Sequence, residues 1–363
     1  YSKYNKKENE CIHILEEIRR KIKMQKEITE KSKLLDEEGK LVQKGWASDL
    51  IMTYNRENIA ASWFRIKEWD YYAVLNSDFG ITFTVADLGY IGLLSIVWLD
   101  FQKEIFIPEE EIVLLPRGNF DLPSSSQEGN VKLQKKGIDL EFIREPEKRY
   151  LSVEYPKFDN GKGLLAKLEL EQDPNAKSIV IVSDWEEKPK RFYYNQKINC
   201  MPTKGTVQIG EKEFKFEKDS SFSVLDWGRG VWTYKNTWYW GSASTKIDDV
   251  LIGWNLGYGF SDRSQASENA VFYDGNIHKL DEITFHFDEN DLLKPWTITS
   301  NDDRFEMDFQ PILDRNSKIN LLLLKSIQHQ VFGYYSGYFV LDNGEKIEVK
   351  NVLGFAEEVY NKW

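Results

Sequence analysis

Gly80-Ile81-Thr82-Phe83-Thr84-Val85-Ala86-Asp87 alternates between apolar and wettable side chains. An extended strand therefore shows an oily face at Ile81, Phe83 and Val85 and a different face at Thr82 and Thr84. Tyr71-Tyr72-Ala73-Val74-Leu75 precedes this stretch and the run 90–101 follows it, joined by short Gly, Asn and Asp connections. Three strands with such short links can only run antiparallel, because a parallel crossover needs a dozen or more residues. The rhythm continues through 131–134, 138–144, 149–155, 164–171 and 179–183. It breaks at 184–202, then resumes at 205–210 and 213–216 and repeats to 345–352. The pattern predicts an all-β chain with two consecutive antiparallel barrels, over 33–190 and 191–363. Residues 1–32 form an extension in which Cys11, Ile14, Leu15, Ile18 and Ile22 recur at helical spacing. They predict a short amphipathic helix that caps a barrel or meets a partner.

Composition supports β structure. Aromatic side chains make up 14% of the 363 residues, 12 of them Trp, and rings suit half-buried pleated surfaces. The 48 basic and 59 acidic side chains leave a charge of −11, which disfavours nucleic acid and anionic membranes as partners. The most apolar run, 90–99, is broken by Gly92 and falls short of the ~20 residues of a membrane-spanning helix. The first residues have no apolar signal core, so a cytoplasmic location is expected. Cys11 and Cys200 are far apart, and His13, His278, His286 and His329 are scattered. No metal-ligand spacing results, and neither a metal nor another cofactor is expected. The oligomeric state is left open.

Three clusters carry possible chemistry. In Asp226-Trp227-Gly228-Arg229-Gly230-Val231-Trp232, followed by Trp238-Tyr239-Trp240, a carboxylate and a guanidinium sit among four indoles. Asp226 and Arg229 either pair with each other at a turn or face a pocket walled by Trp232, Trp238 and Trp240. In such a pocket Asp226 would move a proton and Arg229 would clamp an oxyanion or carboxylate. Glu268-Asn269 supplies a second carboxylate and an amide, and neighbouring carboxylates push each other's pKa values apart. The glycines of Asn255-Leu256-Gly257-Tyr258-Gly259 imitate a phosphate loop, but no helix follows them. His329-Gln330 offers a further base and a polar contact, although His329 reads equally as a core histidine.

The same clusters carry a family resemblance. Leu34-Leu35-Asp36, Gly45-Trp46-Ala47, Asp226 to Gly230, Trp238, Trp240, Glu268-Asn269-Ala270, His329-Gln330 and Gly354-Phe355-Ala356-Glu357 occur in the order seen in the bacterial and fungal domain-of-unknown-function 2804 family. The resemblance spans about residues 25 to 363. That family is distantly similar to the hydroxyneurosporene synthase (carotenoid 1,2-hydratase) group and to lipocalin-like Diels–Alderases. It implies two lipocalin-like barrels and leaves the activity open. Three functions compete. One is a cofactor-independent acid–base enzyme (hydration, elimination or isomerisation) using Asp226, Glu268 and His329. Another is a carbohydrate-active enzyme with a glycosidase-like carboxylate pair. The third is a non-catalytic carrier of a small apolar or sugar ligand.

Overall fold

A computed structural model describes residues 25–321 and 324–362. The helix expected near the N-terminus lies outside the described residues. The described chain is all-β, with two large antiparallel sheets, each curled around its own apolar core. In the first, Ile105–Leu114, Ile91–Asp100, Phe79–Asp87 and Ile66–Leu75 lead in order to Phe222–Val231 and Lys188–Ile209. The order continues with Leu164–Glu171, Lys148–Tyr155, Ile138–Glu145 and Val131–Lys135. The curl brings Ile105–Leu114 back to the far arm, where the Tyr155 hydroxyl donates to Glu111 (2.8 Å) and the Asp159 amide to Glu109 (3.0 Å). Ile81, Phe83 and Val85 point into this core with Trp98, Phe142 and Trp227, as their alternation predicts.

The second sheet has Lys235–Ile247, Lys346–Lys362 and Leu324–Val340 at its centre. Val250–Tyr258 flanks them on one side and Phe305–Leu321 on the other. Trp254, Tyr335, Phe309 and Trp296 fill its core. Among the described residues no helix is long and apolar enough to cross a membrane.

The sheets divide later than the sequence rhythm suggests. Lys188–Ile209 is a continuous 22-residue strand of the first sheet, and Phe222–Val231 pairs beside it, so the sheet change falls between Val231 and Lys235 rather than at 190/191. The polar side chains of Asn195 and Lys197 are buried between the two sheets, which is why the alternation there reads as a loop. A bulge between Ile198 and Met201, with Cys200 at φ 58°, kinks the strand. At the kink the Asn199 amide donates to Ser242 Oγ (2.8 Å) and the Trp254 carbonyl (3.1 Å) of the second sheet. The two sheets pack outer face to outer face. Tyr71, Ala73, Val97, Leu99 and Val224 of one meet Trp240, Leu313, Phe332 and Phe355 of the other.

Candidate functional site

The packed faces part to leave a cavity of about 200 Å³ between the barrels, outside both barrel interiors. Its position follows from register. On the first sheet Tyr71, Asp226 and Lys197 are direct cross-strand neighbours. On the second, Trp240, Glu357, Gln330 and Arg315 form a row across four strands. Residues in such a row share a face of the pleat. The rows meet where Gln330 Nε2 donates to the Tyr71 hydroxyl (2.9 Å) and the Lys197 ammonium lies 4.0 Å over the Trp240 ring.

The Asp226-to-Gly230 motif is divided by the pleat. Asp226 and Gly228 face the cleft, and a Cβ on Gly228 would overlap the Trp69 indole lying across it. Trp227 and Arg229 point the opposite way, among the first barrel's core residues. Arg229 is fully buried and ion-paired with Asp70 (3.0 Å), with further bonds to the carbonyls of Trp69, Gly228 and Pro123. Both expectations for Arg229, a pair with Asp226 and a pocket clamp, are thus corrected. Three residues along a strand is an odd step, so the two side chains fall on opposite faces.

Asp226 lines the cavity, accepting from Asn195 Nδ2 (2.5 Å) and pairing with Lys197 Nζ (2.7 Å). Glu268 lies on the other side of the same ammonium (4.0 Å), so Lys197 brings the two carboxylates together. Burial pushes the Glu268 carboxyl up, Lys197 opposes the shift, and Asp226 adds to it. Gly257 is a glycine because a Cβ there would overlap the Glu268 carboxylate, which gives the false phosphate loop its physical meaning. Asn269 does not line the cavity. Its side chain accepts from the Gly257 amide (2.6 Å) and donates to the Asp281 carbonyl (2.7 Å), fixing the segment that carries Glu268. Lys279, pushed down to about 7 by burial, donates to the carbonyls of Ser267 and Asn269 in the same segment.

His329 is not in the cavity. Its neighbour Gln330 points to the cleft, so His329 takes the other face and bonds Asp314 (2.9 Å), which raises the imidazole pKa. Gln330 links Tyr71, Glu357 (3.2 Å) and Arg315 (3.4 Å). The residues missed by the sequence reading are Lys197, Glu357, Arg315, Trp69, Tyr71 and Tyr193, all of which line the cavity. Glu357 was visible in the Gly354-to-Glu357 motif, but only the register places it beside Trp240. Its carboxyl is pushed up to about 7, chiefly by burial, against the Trp238 indole N–H donated at 2.9 Å and the nearby Arg315 and Lys197 charges.

Trp232, Trp238 and Trp240 all line the cavity, with Trp69, Tyr193 and Phe260. Trp69 meets Trp232 edge to face at 5.1 Å, and Trp238 meets Trp232 at 5.9 Å. Trp240 is 5% exposed and wedged against Phe355 (4.7 Å) and Tyr71 (5.7 Å), whereas Trp238 is only half-buried. Trp240→Ala is therefore expected to cost about 3–5 kcal/mol in urea unfolding. Trp238→Ala should cost clearly less and instead reduce ligand-induced fluorescence change. Equal stability losses for the two would show that both indoles are packing.

The family described as domain of unknown function (DUF2804) matches residues 25–363. No curated protein matches the chain. Among solved structures, a Nitrosomonas europaea protein described as a candidate AttH is 12% identical, with a TM-score of 0.50 over 85% of this chain and 96% of its own. Kievitone hydratase from Nectria haematococca is 10% identical, with a TM-score of 0.43 over 82% of this chain and 88% of its own. At such identities the likeness concerns the fold alone.

Proposed function

The chain belongs to the DUF2804 family, and from the chemistry of its inter-barrel cleft we propose a cofactor-independent acid–base enzyme of the hydratase, lyase or isomerase type. One observation carries the reading. A carboxyl poised near neutrality, Glu357, shares a small aromatic-walled cavity with an ion-paired carboxylate, Asp226. A general acid works best when its pKa lies near the working pH, and Glu357 meets that condition. In a hydration, Asp226 takes a proton from water as the oxygen adds to one alkene carbon, and Glu357 gives its proton to the other. Solvent then returns a proton from Asp226 to Glu357. Elimination is the reverse of this sequence. Isomerisation uses the same pair without water, removing a proton at one carbon and replacing it at another. Lys197 positions Asp226 and offsets the repulsion between it and Glu268. The volume is below the ~300–1,000 Å³ of drug-sized sites, so the substrate is small.

The carrier reading has one supporting observation: Lys197, Asp226 and Glu357 all have protein partners already. Mass spectrometry of the molecule that co-purifies with the protein, followed by incubation in D2O and H2¹⁸O, separates the readings. The acid–base enzyme is expected to place carbon-bound deuterium in the ligand, with ¹⁸O as well if it hydrates. An unchanged ligand supports the carrier, and release of a shortened sugar supports the carbohydrate enzyme. Either result would sink the proposal.

A further inference from the structure

Lys197 is matched by Asp226, but the other cation of the cleft row has no such counterpart. Arg315 lines the main cavity and also a side recess formed by Phe106, Pro108 and Glu110. Among the described residues no carboxylate lies within 4.0 Å of its guanidinium. Its one side-chain hydrogen bond is long, from Nη1 to Gln330 Oε1 at 3.4 Å. Arg229 in the first barrel shows the contrast, with an ion pair and three carbonyls as acceptors. A half-buried guanidinium with unused N–H groups beside a cavity is a ready carboxylate receptor, because its planar fork matches two carboxylate oxygens.

We propose that Arg315 is the ligand's anchor and that the ligand is a small aromatic or unsaturated carboxylate. The inference rests on the cleft being the ligand site, as the acid–base reading also requires. Three observations define the ligand. Trp69, Trp232, Trp238 and Phe260 supply ring faces for a flat apolar body. Gln330 ties Arg315 to Glu357, so a carboxylate bound at Arg315 puts the adjoining carbons near the Glu357 carboxyl. Of the two cations that line the cavity, Lys197 is already paired with Asp226, so Arg315 is left to receive a single carboxylate. A monoanion fits better than a phosphate dianion, because Asp226 and Glu110 also line the cavity and repel the second charge. Glu110, which lines both the cavity and Arg315's recess, is exposed, and among the described residues it makes no ion pair with Arg315.

The test compares two isosteric probes, trans-cinnamate and neutral cinnamamide, by tryptophan fluorescence and calorimetry near pH 6.5. The parent protein is expected to bind cinnamate about 10-fold more tightly than cinnamamide, the size of one charge-assisted hydrogen-bonded contact. Arg315→Gln should abolish that preference and leave cinnamamide binding within about two-fold, and Arg315→Lys should restore part of it. Unchanged thermal midpoints of the variants would show that folding is intact, as expected for a half-exposed strand residue. Equal binding of both probes by the parent, no saturable binding of either, or a preference that survives Arg315→Gln would overturn the proposal. Tighter binding of phenyl phosphate than of cinnamate would overturn the carboxylate assignment. The experiment involves no turnover, so an Arg315-dependent preference without isotope incorporation would sink the catalytic reading and leave this one standing.

Discussion

Glu357→Gln is expected to stabilise the protein at pH 8 by about 3 kcal/mol while lowering deuterium incorporation by ~10²–10⁴-fold. The first effect follows from linkage. In the unfolded chain Glu357 releases its proton near 4.5, and in the fold it keeps the proton up to about 7. Between these values the folded state binds more protons, so stability falls as pH rises through the window, and the penalty is complete above 7. A shift of that size corresponds to about 3 kcal/mol at ~1.4 kcal/mol per pH unit. Glutamine never ionises and keeps an oxygen for the Trp238 indole N–H. Its advantage should therefore vanish below about pH 4.5 and be full at pH 8, as read from urea midpoints at both pH values. The second effect has its own pH signature. If Glu357 acts as the acid, the parent's rate falls as pH rises through about 7, and the variant's residual rate does not follow that limb. A variant destabilised at pH 8 would show that Glu357 is ionised and ion-paired in the fold, which would remove the acid from the proposed mechanism.

The fold was legible because a β-strand writes its two environments into alternate residues, and Ile81, Phe83 and Val85 name the core directly. The site was less legible because its face is the outside of both barrels. Strands there alternate between two buried environments, so Thr84 and Lys197 look like solvent-facing residues although they line a cavity. The same feature disguised Lys188–Ile209 as a linker. Clusters along the chain misled where they crossed the pleat: Asp226 and Arg229 are close in sequence and on opposite faces, and so are His329 and Gln330. Glu357 and Trp240 lie more than a hundred residues apart, and only their pairing in the second sheet makes them neighbours. Register is set by the whole sheet, so no local motif could announce that row.

Arg229→Ala is expected to destabilise the protein by about 3–5 kcal/mol and to leave ligand affinity unchanged in the folded fraction. The inner face of Ile66–Leu75 carries two carboxylates, Glu68 and Asp70, and each has its own arginine: Arg56 for Glu68, Arg229 for Asp70. Burial pushes the Asp70 carboxyl up, and Arg229 is the main force opposing that shift. Removing Arg229 strands the carboxylate, frees three carbonyls from their donor and leaves a void over the Trp227 ring, which the guanidinium covers at 4.3 Å. Arg149 also lowers the Asp70 pKa, but it is bonded to Tyr72, Gln172 and the Ser126 carbonyl and makes no ion pair with Asp70. Total stabilities of ~5–15 kcal/mol make such a loss plain in urea or thermal unfolding. The double variant Arg229→Met with Asp70→Leu removes both charges at similar volume, and it should recover most of the loss, since an apolar replacement of a buried pair is often neutral. The cycle therefore yields a large coupling energy if Arg229 is a barrel-core counter-ion. A clamp facing the ligand would give the opposite result: little change in unfolding, no coupling to Asp70, and lost preference for cinnamate. Near-parental stability of Arg229→Ala would refute the placement of Arg229 inside the first barrel and reopen its role at the cleft.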